Sequence, residues 1–152
     1  MIVALKSPWL YARIFVGLIL AYAGFTKLVE PIENFRGVVA SYPVIPYVLS
    51  PLIAAVLPWI ELFAGVFLII GYAPRLSAMA AAALFFGFLI VLGSSDALLE
   101  SGKDCGCFGQ GALIHLTTQQ VFVLDLINFL LALKLCSLKD SPLSLDHWLK
   151  KR

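Results

Sequence analysis

The chain holds three cysteines, and two of them form the tight sequence Cys105-Gly106-Cys107. A disulfide needs Cα atoms about 4.4–6.8 Å apart, and an extended i, i+2 pair lies near or beyond the upper end of that range. Gly106 lifts the steric bar to the tighter turn that brings the sulfurs together. A ring closed this way spans almost no chain, so it restricts the unfolded state little. Its strained geometry also makes it easier to reduce than a structural bridge. A pair that stabilises poorly and exchanges readily points to thiol–disulfide chemistry, with Cys105 and Cys107 as the catalytic candidates. Two other readings of the same residues stay open. A metal could take Cys105, Cys107, His115 and Asp104, but zinc sites favour wider cysteine spacing and four ligands, so no metal is expected. The pair could also be a plain brace within its loop. Lys103 and Lys27 could hold a thiolate by charge, with Asp104 opposing them. Lys27 fits equally well as an anchor at a membrane interface, and His115 fits a loop or headgroup-level position better than a proton shuttle.

Glu61 falls near the middle of an apolar run, three residues after Pro58. A carboxylate at such a position is costly against lipid and should face the interior of a helix bundle, where it could hold and release a proton. Pro58 frees a backbone carbonyl and bends its helix, which could make room for a ligand. Asp125 and Asn128 lie one turn apart on a later run. The plainer alternative is a polar knot in which Glu61, Asp125, Asn128, Tyr22 and Thr26 satisfy one another across helices. If the thiols are oxidised, their electrons must leave. No haem or flavin motif is present, and the loops are too short to enclose a nucleotide. A membrane quinone needs only an apolar cleft between helices, so it is the expected acceptor, with Glu61 supplying or taking protons. Phe85, Phe86, Phe88 and Trp59 could line such a cleft. Cys136 closes the last apolar run, on the opposite face from the pair, where a packed free thiol is the simple reading.

The elements that must position these residues are hydrophobic. Of 152 residues, 61% are apolar and 13% charged, against about 45–50% and about a quarter in a typical soluble domain. The excess gathers in four runs, which predict membrane-spanning helices over about Trp9–Val29, Leu49–Gly71, Leu76–Leu99 and Thr118–Cys136. Each is near the roughly 20 residues that cross about 30 Å of hydrocarbon. None shows the period-2 alternation of a barrel strand. The expected fold is therefore an all-α, integral membrane four-helix bundle, a single domain over residues 1–152. Pro43 and Pro46 before the second run and Pro74 before the third mark joints. Thr117-Thr118-Gln119-Gln120 reads as a capping box opening the fourth. Small residues at four-residue spacing in the third (Ser77/Ala81, Ala78/Ala82, Ala83/Gly87) predict close helix packing.

Near the N-terminus, Lys6, Arg13 and Ala21-Tyr22-Ala23 resemble a signal peptide with its cleavage site. The apolar run continues past that point and three more follow, so an uncleaved first span is expected. Lys6, Arg13, Arg75 and the basic residues from Lys134 to Arg152 fall on one side of the bilayer, against Lys27, Arg36 and Lys103 on the other. By the positive-inside rule both termini are expected in the cytoplasm, with Cys105 and Cys107 outside in the oxidising compartment. A net charge of +2, with no basic stretch carrying exposed aromatics, gives no basis for nucleic-acid binding.

Several stretches resemble one family. Gly24-Phe25-Thr26-Lys27-Leu28, Pro58-x-x-Glu61-Leu62-x-x-Gly65 with Gly71, and Cys105-Gly106-Cys107-Phe108-Gly109 are similar to the MauE branch of the DoxX-like membrane proteins. Phe35 to Pro46, with Tyr42-Pro43, resembles the family's connector after the first helix. The likeness extends to about residue 135. It implies a four-helix bundle in the bacterial plasma membrane that does periplasmic redox work. Its partner would be a thioredoxin-like or rhodanese-like periplasmic protein, and its role would lie in maturing a disulfide-rich enzyme of methylamine utilisation. The family's functional residues carry over at Cys105 and Cys107, and more loosely at Glu61 and Lys27. Many relatives have an Arg near the start of the fourth helix, where this chain has Asp125. The rival functions are a non-catalytic membrane assembly subunit, with the cysteines as a brace, and a small-molecule carrier built around Glu61.

Overall fold

An apolar run of about twenty residues in lipid must satisfy its own backbone, and a helix does so within the segment. The structure, a computed structural model, describes residues 8–94 and 116–137. Helix α1 spans Pro8–Val29, α2 Ile32–Ser41, α3 Ser50–Ile70, α4 Pro74–Gly93 and α5 Thr118–Ser137. A 3-10 turn over Tyr47–Leu49 leads into α3. Four helices (the 3-10 turn counted with α3) are long and apolar enough to cross a membrane, and no β-strand occurs among the described residues.

The stops have local causes. Gly71 ends α3 in the left-handed region at φ 75°, a backbone that favours glycine. Its N–H and that of Tyr72 both donate to the Phe67 carbonyl, at 2.9 and 3.0 Å. Pro74 then opens α4 at a position where no N–H is needed. The third span starts two residues before the expected Leu76, and its helix is described to Gly93; the expected end at Leu99 lies outside the described residues. Ser94 caps the helix, its N–H donating to Ile90 O and its hydroxyl to Val91 O. The capping box of α5 forms as expected. Thr117 N–H donates to Gln120 Oε1 at 3.1 Å, and Gln120 N–H to Thr117 Oγ1 at 3.4 Å.

The expected connector after the first span contains a helix of its own, α2. Pro31 precedes it, and Phe35 and Val39, one turn apart, bury against Ala54 of α3. Arg36 and Glu33 pair across the outer face at 3.5 Å. Ten residues with a single apolar stripe are too short and too polar to register as a span.

Helix α1 packs along α3 and α4 along α5, and contacts of α3 with α4 and of α1 with α5 join the two pairs. Glycines set the closest approach. A Cβ on Gly65 would lie 2.5 Å from Ala21 N and 2.6 Å from Gly17 O. One on Gly24 would lie 2.7 Å from both Leu62 N and Pro58 O. The central core joins Val16, Leu20, Leu68, Phe85 and Ala132 with the α4 alanines Ala78, Ala81 and Ala82. Two of the three small-residue pairs in α4 are thus buried as expected, while Ala83 is exposed and Gly87 half-buried. Large apolar side chains such as Phe15, Leu18, Phe25, Phe63 and Leu130 point outward, as lipid-facing helices require.

Candidate functional site

The close contact at Gly24 brings the end of α1 onto α3 where Glu61 emerges, with Glu61 Cβ 3.1 Å from the position a Gly24 side chain would take. Lys27 lies one turn further along the same face. Its Nζ donates to both carboxylate oxygens of Glu61, at 2.6 and 2.7 Å. The side chains of Lys27 and Glu61 are 2% and 0% exposed, so the pair is almost wholly buried. The same ammonium faces two aromatic rings, 5.0 Å from the centroid of Phe35 and 5.3 Å from that of Phe88. Such cation–π contacts strengthen when desolvated.

Glu61 therefore faces the bundle interior as the sequence predicts, but its partner is Lys27. The interfacial-anchor reading of Lys27 does not hold, because its ammonium is turned inward and neutralised. Other members of the expected polar knot bond within their own helices. Thr26 donates its hydroxyl to the Tyr22 and Ala23 carbonyls of its own helix, and Asn128 Nδ2 donates to Leu124 O. Asp125 is buried within electrostatic reach of Lys27 and Glu61. Asn128 Oδ1 is buried with no hydrogen-bond partner among the described residues.

Beside the ion pair lies a cavity of about 330 Å³, partly open and almost wholly apolar. Lys27 stands at its wall with Phe35 and Val39 of α2, Leu57 of α3, and Gly87 and Phe88 of α4. Of the four aromatics expected to line a cleft, only Phe88 does so. Phe85 is locked in the core. Phe86 stacks outward on Phe129, and Trp59 outward on Phe63. Two aromatics outside that expectation also line it, Phe35 from the helix the sequence hid and Tyr42 just after it. The one signal of that helix was the Phe35/Val39 spacing after Pro31.

Cys105 and Cys107, with Lys103, Asp104 and His115, lie outside the described residues. The flanks of their segment do not. Leu92, near the end of α4, and Leu116, just before α5, meet in one cluster with Val121 and Phe122. Leu92 is also part of the cavity wall. Among the described residues no three His, Cys, Asp or Glu side chains gather as a metal site would need. Cys136 is a free thiol half-buried against the core near the end of α5.

A membrane-spanning helix bundle with a buried lysine–glutamate pair beside an apolar cavity defines the class of protein. The sequence family described as methylamine utilisation protein MauE matches residues 5–138, and the chain belongs to that family. The MauE protein of Methylophilus methylotrophus is 38% identical over 98 residues, 64% of this chain and 51% of that protein. That of Paracoccus denitrificans is 36% identical over 99 residues, 65% and 53%. That of Methylorubrum extorquens is 37% identical over 101 residues, 66% and 54%. The chain thus spans about half the length of these relatives. No solved structure matches it.

Proposed function

We propose that this protein is a thiol–disulfide exchanger of the bacterial plasma membrane that serves methylamine utilisation. In this reading both termini are cytoplasmic, and the Cys105–Cys107 pair exchanges with a thioredoxin-like or rhodanese-like protein of the periplasm. Two partner thiols become a disulfide as the Cys105–Cys107 bond is reduced, through a mixed disulfide with one of the two cysteines. Reoxidation of Cys105 and Cys107 re-forms their bond and releases two electrons and two protons, which a membrane quinone accepts to become a quinol. The maturation of a disulfide-rich periplasmic enzyme is the purpose such oxidation would serve.

One observation carries the reading. Leu92 and Leu116, on either side of the cysteine-bearing segment, belong to one apolar cluster, and Leu92 is shared with the wall of an apolar cavity beside a buried ion pair. A cavity of about 330 Å³ falls within the roughly 300–1,000 Å³ of small-molecule sites, and its apolar walls fit a lipid-soluble acceptor. Cys105→Ser and Cys107→Ser variants expressed in cells test the exchange on non-reducing gels. One of them should trap a periplasmic protein as a reducible adduct, which also requires the pair to face outward. Absence of an adduct from both, with full methylamine-dependent growth of the double serine variant, would leave a non-catalytic assembly subunit instead.

A further inference from the structure

Resting on the proposed quinone-linked reading, we infer that the cavity between α2, α3 and α4 is the site of the quinone ring, with the Lys27 ammonium as the donor that holds one ring carbonyl. An ammonium carries three hydrogens. Glu61 takes two of them, and no described residue gives the third an oxygen acceptor. Lys27 lines a cavity that is otherwise almost wholly apolar, Tyr42 being the other lining residue with a polar side-chain atom, so a carbonyl oxygen entering there meets few hydrogen-bonding groups. Specificity in small-molecule sites commonly rests on a few such groups in apolar walls.

Charge decides the class of ligand. Lys27 is already neutralised by Glu61 at 2.6 and 2.7 Å, and Asp125 adds a second acidic group within electrostatic reach. An anion brought to Lys27 would meet two carboxyl groups, and a second cation would meet Lys27 itself. A neutral acceptor oxygen has neither cost and gains a charge-assisted hydrogen bond. Shape points the same way. The rings of Phe35 and Phe88 both lie beside the ammonium, so a flat ring held there meets aromatic surface. Ala83 is exposed and Gly87 has open space where a side chain would be. The cavity therefore opens along α4, where an isoprenoid tail can pass into lipid. A phospholipid ester offers the same carbonyl chemistry without the flat ring, and competition separates the two sources.

The test is photolabelling of the full-length protein in phospholipid nanodiscs with an azido-ubiquinone, followed by peptide mapping. Label should fall on peptides spanning residues 35–45 and 84–92, and decylubiquinone should compete for it where excess phosphatidylglycerol does not. Gly87→Phe, whose side chain enters open space, should cut this labelling by about ten-fold, as should Leu57→Trp, which fills the cavity from α3. Helical circular dichroism and melting confirm that at least one variant is folded. Labelling elsewhere, equal competition by phospholipid, or full labelling in either folded variant overturns the site. Labelling involves no thiol turnover, so its failure leaves the cysteine exchange standing. Conversely, failure of the serine variants to trap a partner leaves the labelling result intact.

Discussion

Removing one member of the Lys27–Glu61 pair should cost far more than removing both. At about 3 Å and an effective dielectric near 20, the attraction between the two charges is about 5–6 kcal/mol. Taking each charge out of water costs several kcal/mol, so the intact pair is close to break-even. A stranded partner has no such offset. Lys27→Met and Glu61→Met should therefore each lose about 3–5 kcal/mol. The double variant replaces two polar side chains with apolar ones of similar length and should lie within about 1 kcal/mol of the parent. Reversible unfolding in mixed dodecylmaltoside–dodecylsulfate micelles, followed by circular dichroism, reads all four corners of the cycle. Single losses below about 1 kcal/mol, or a double variant as unstable as the sum of its parts, would refute a buried pair.

Two further predictions test the framework around the pair. Gly65→Ala places a Cβ 2.5 Å from the Ala21 backbone nitrogen, so α1 and α3 must part, at about 1–3 kcal/mol in the same unfolding assay. An unchanged midpoint would mean that the two helices do not approach as described. Thr117→Ala removes the hydroxyl that accepts from Gln120 N–H and should cost about 1 kcal/mol, with Thr117→Ser recovering most of it.

Much of this was legible because the deciding signal was local. Four apolar runs give the spans, Thr117 and Gln120 give the start of α5, and a mid-span carboxylate has nowhere to go but inward. Other features depend on tertiary neighbours. Lys27 and Glu61 are 34 residues apart, and a lysine at a helix end reads as an anchor until a partner is found. Ala83 and Gly87 share the spacing of Ala78 and Ala82, yet one pair borders a cavity while the other is buried. Periodicity reports which residues share a face, not whether anything fills the space beside it. The α2 helix was missed for the opposite reason: its single apolar stripe is weak beside the spans that flank it.

The two motifs in α1 and α3 are the two sides of one contact, which accounts for each of their residues. In Gly24-Phe25-Thr26-Lys27, Gly24 lets the helices touch, Phe25 faces outward at 57% exposure, and Thr26 bonds back to its own helix. Lys27 then arrives one turn later on the buried face. In Pro58-x-x-Glu61-Leu62-x-x-Gly65, the Pro58 carbonyl and Leu62 nitrogen lie against Gly24, Glu61 receives Lys27, and Gly65 lies against Gly17 and Ala21. The glycines are needed because the cation is buried. A separation between α1 and α3 large enough for ordinary side chains would draw Nζ away from Glu61 and leave two charges unpaired in a medium that does not solvate them. The spacing within each motif is thus set by the ion pair, and the ion pair holds the ammonium at the wall of the cavity.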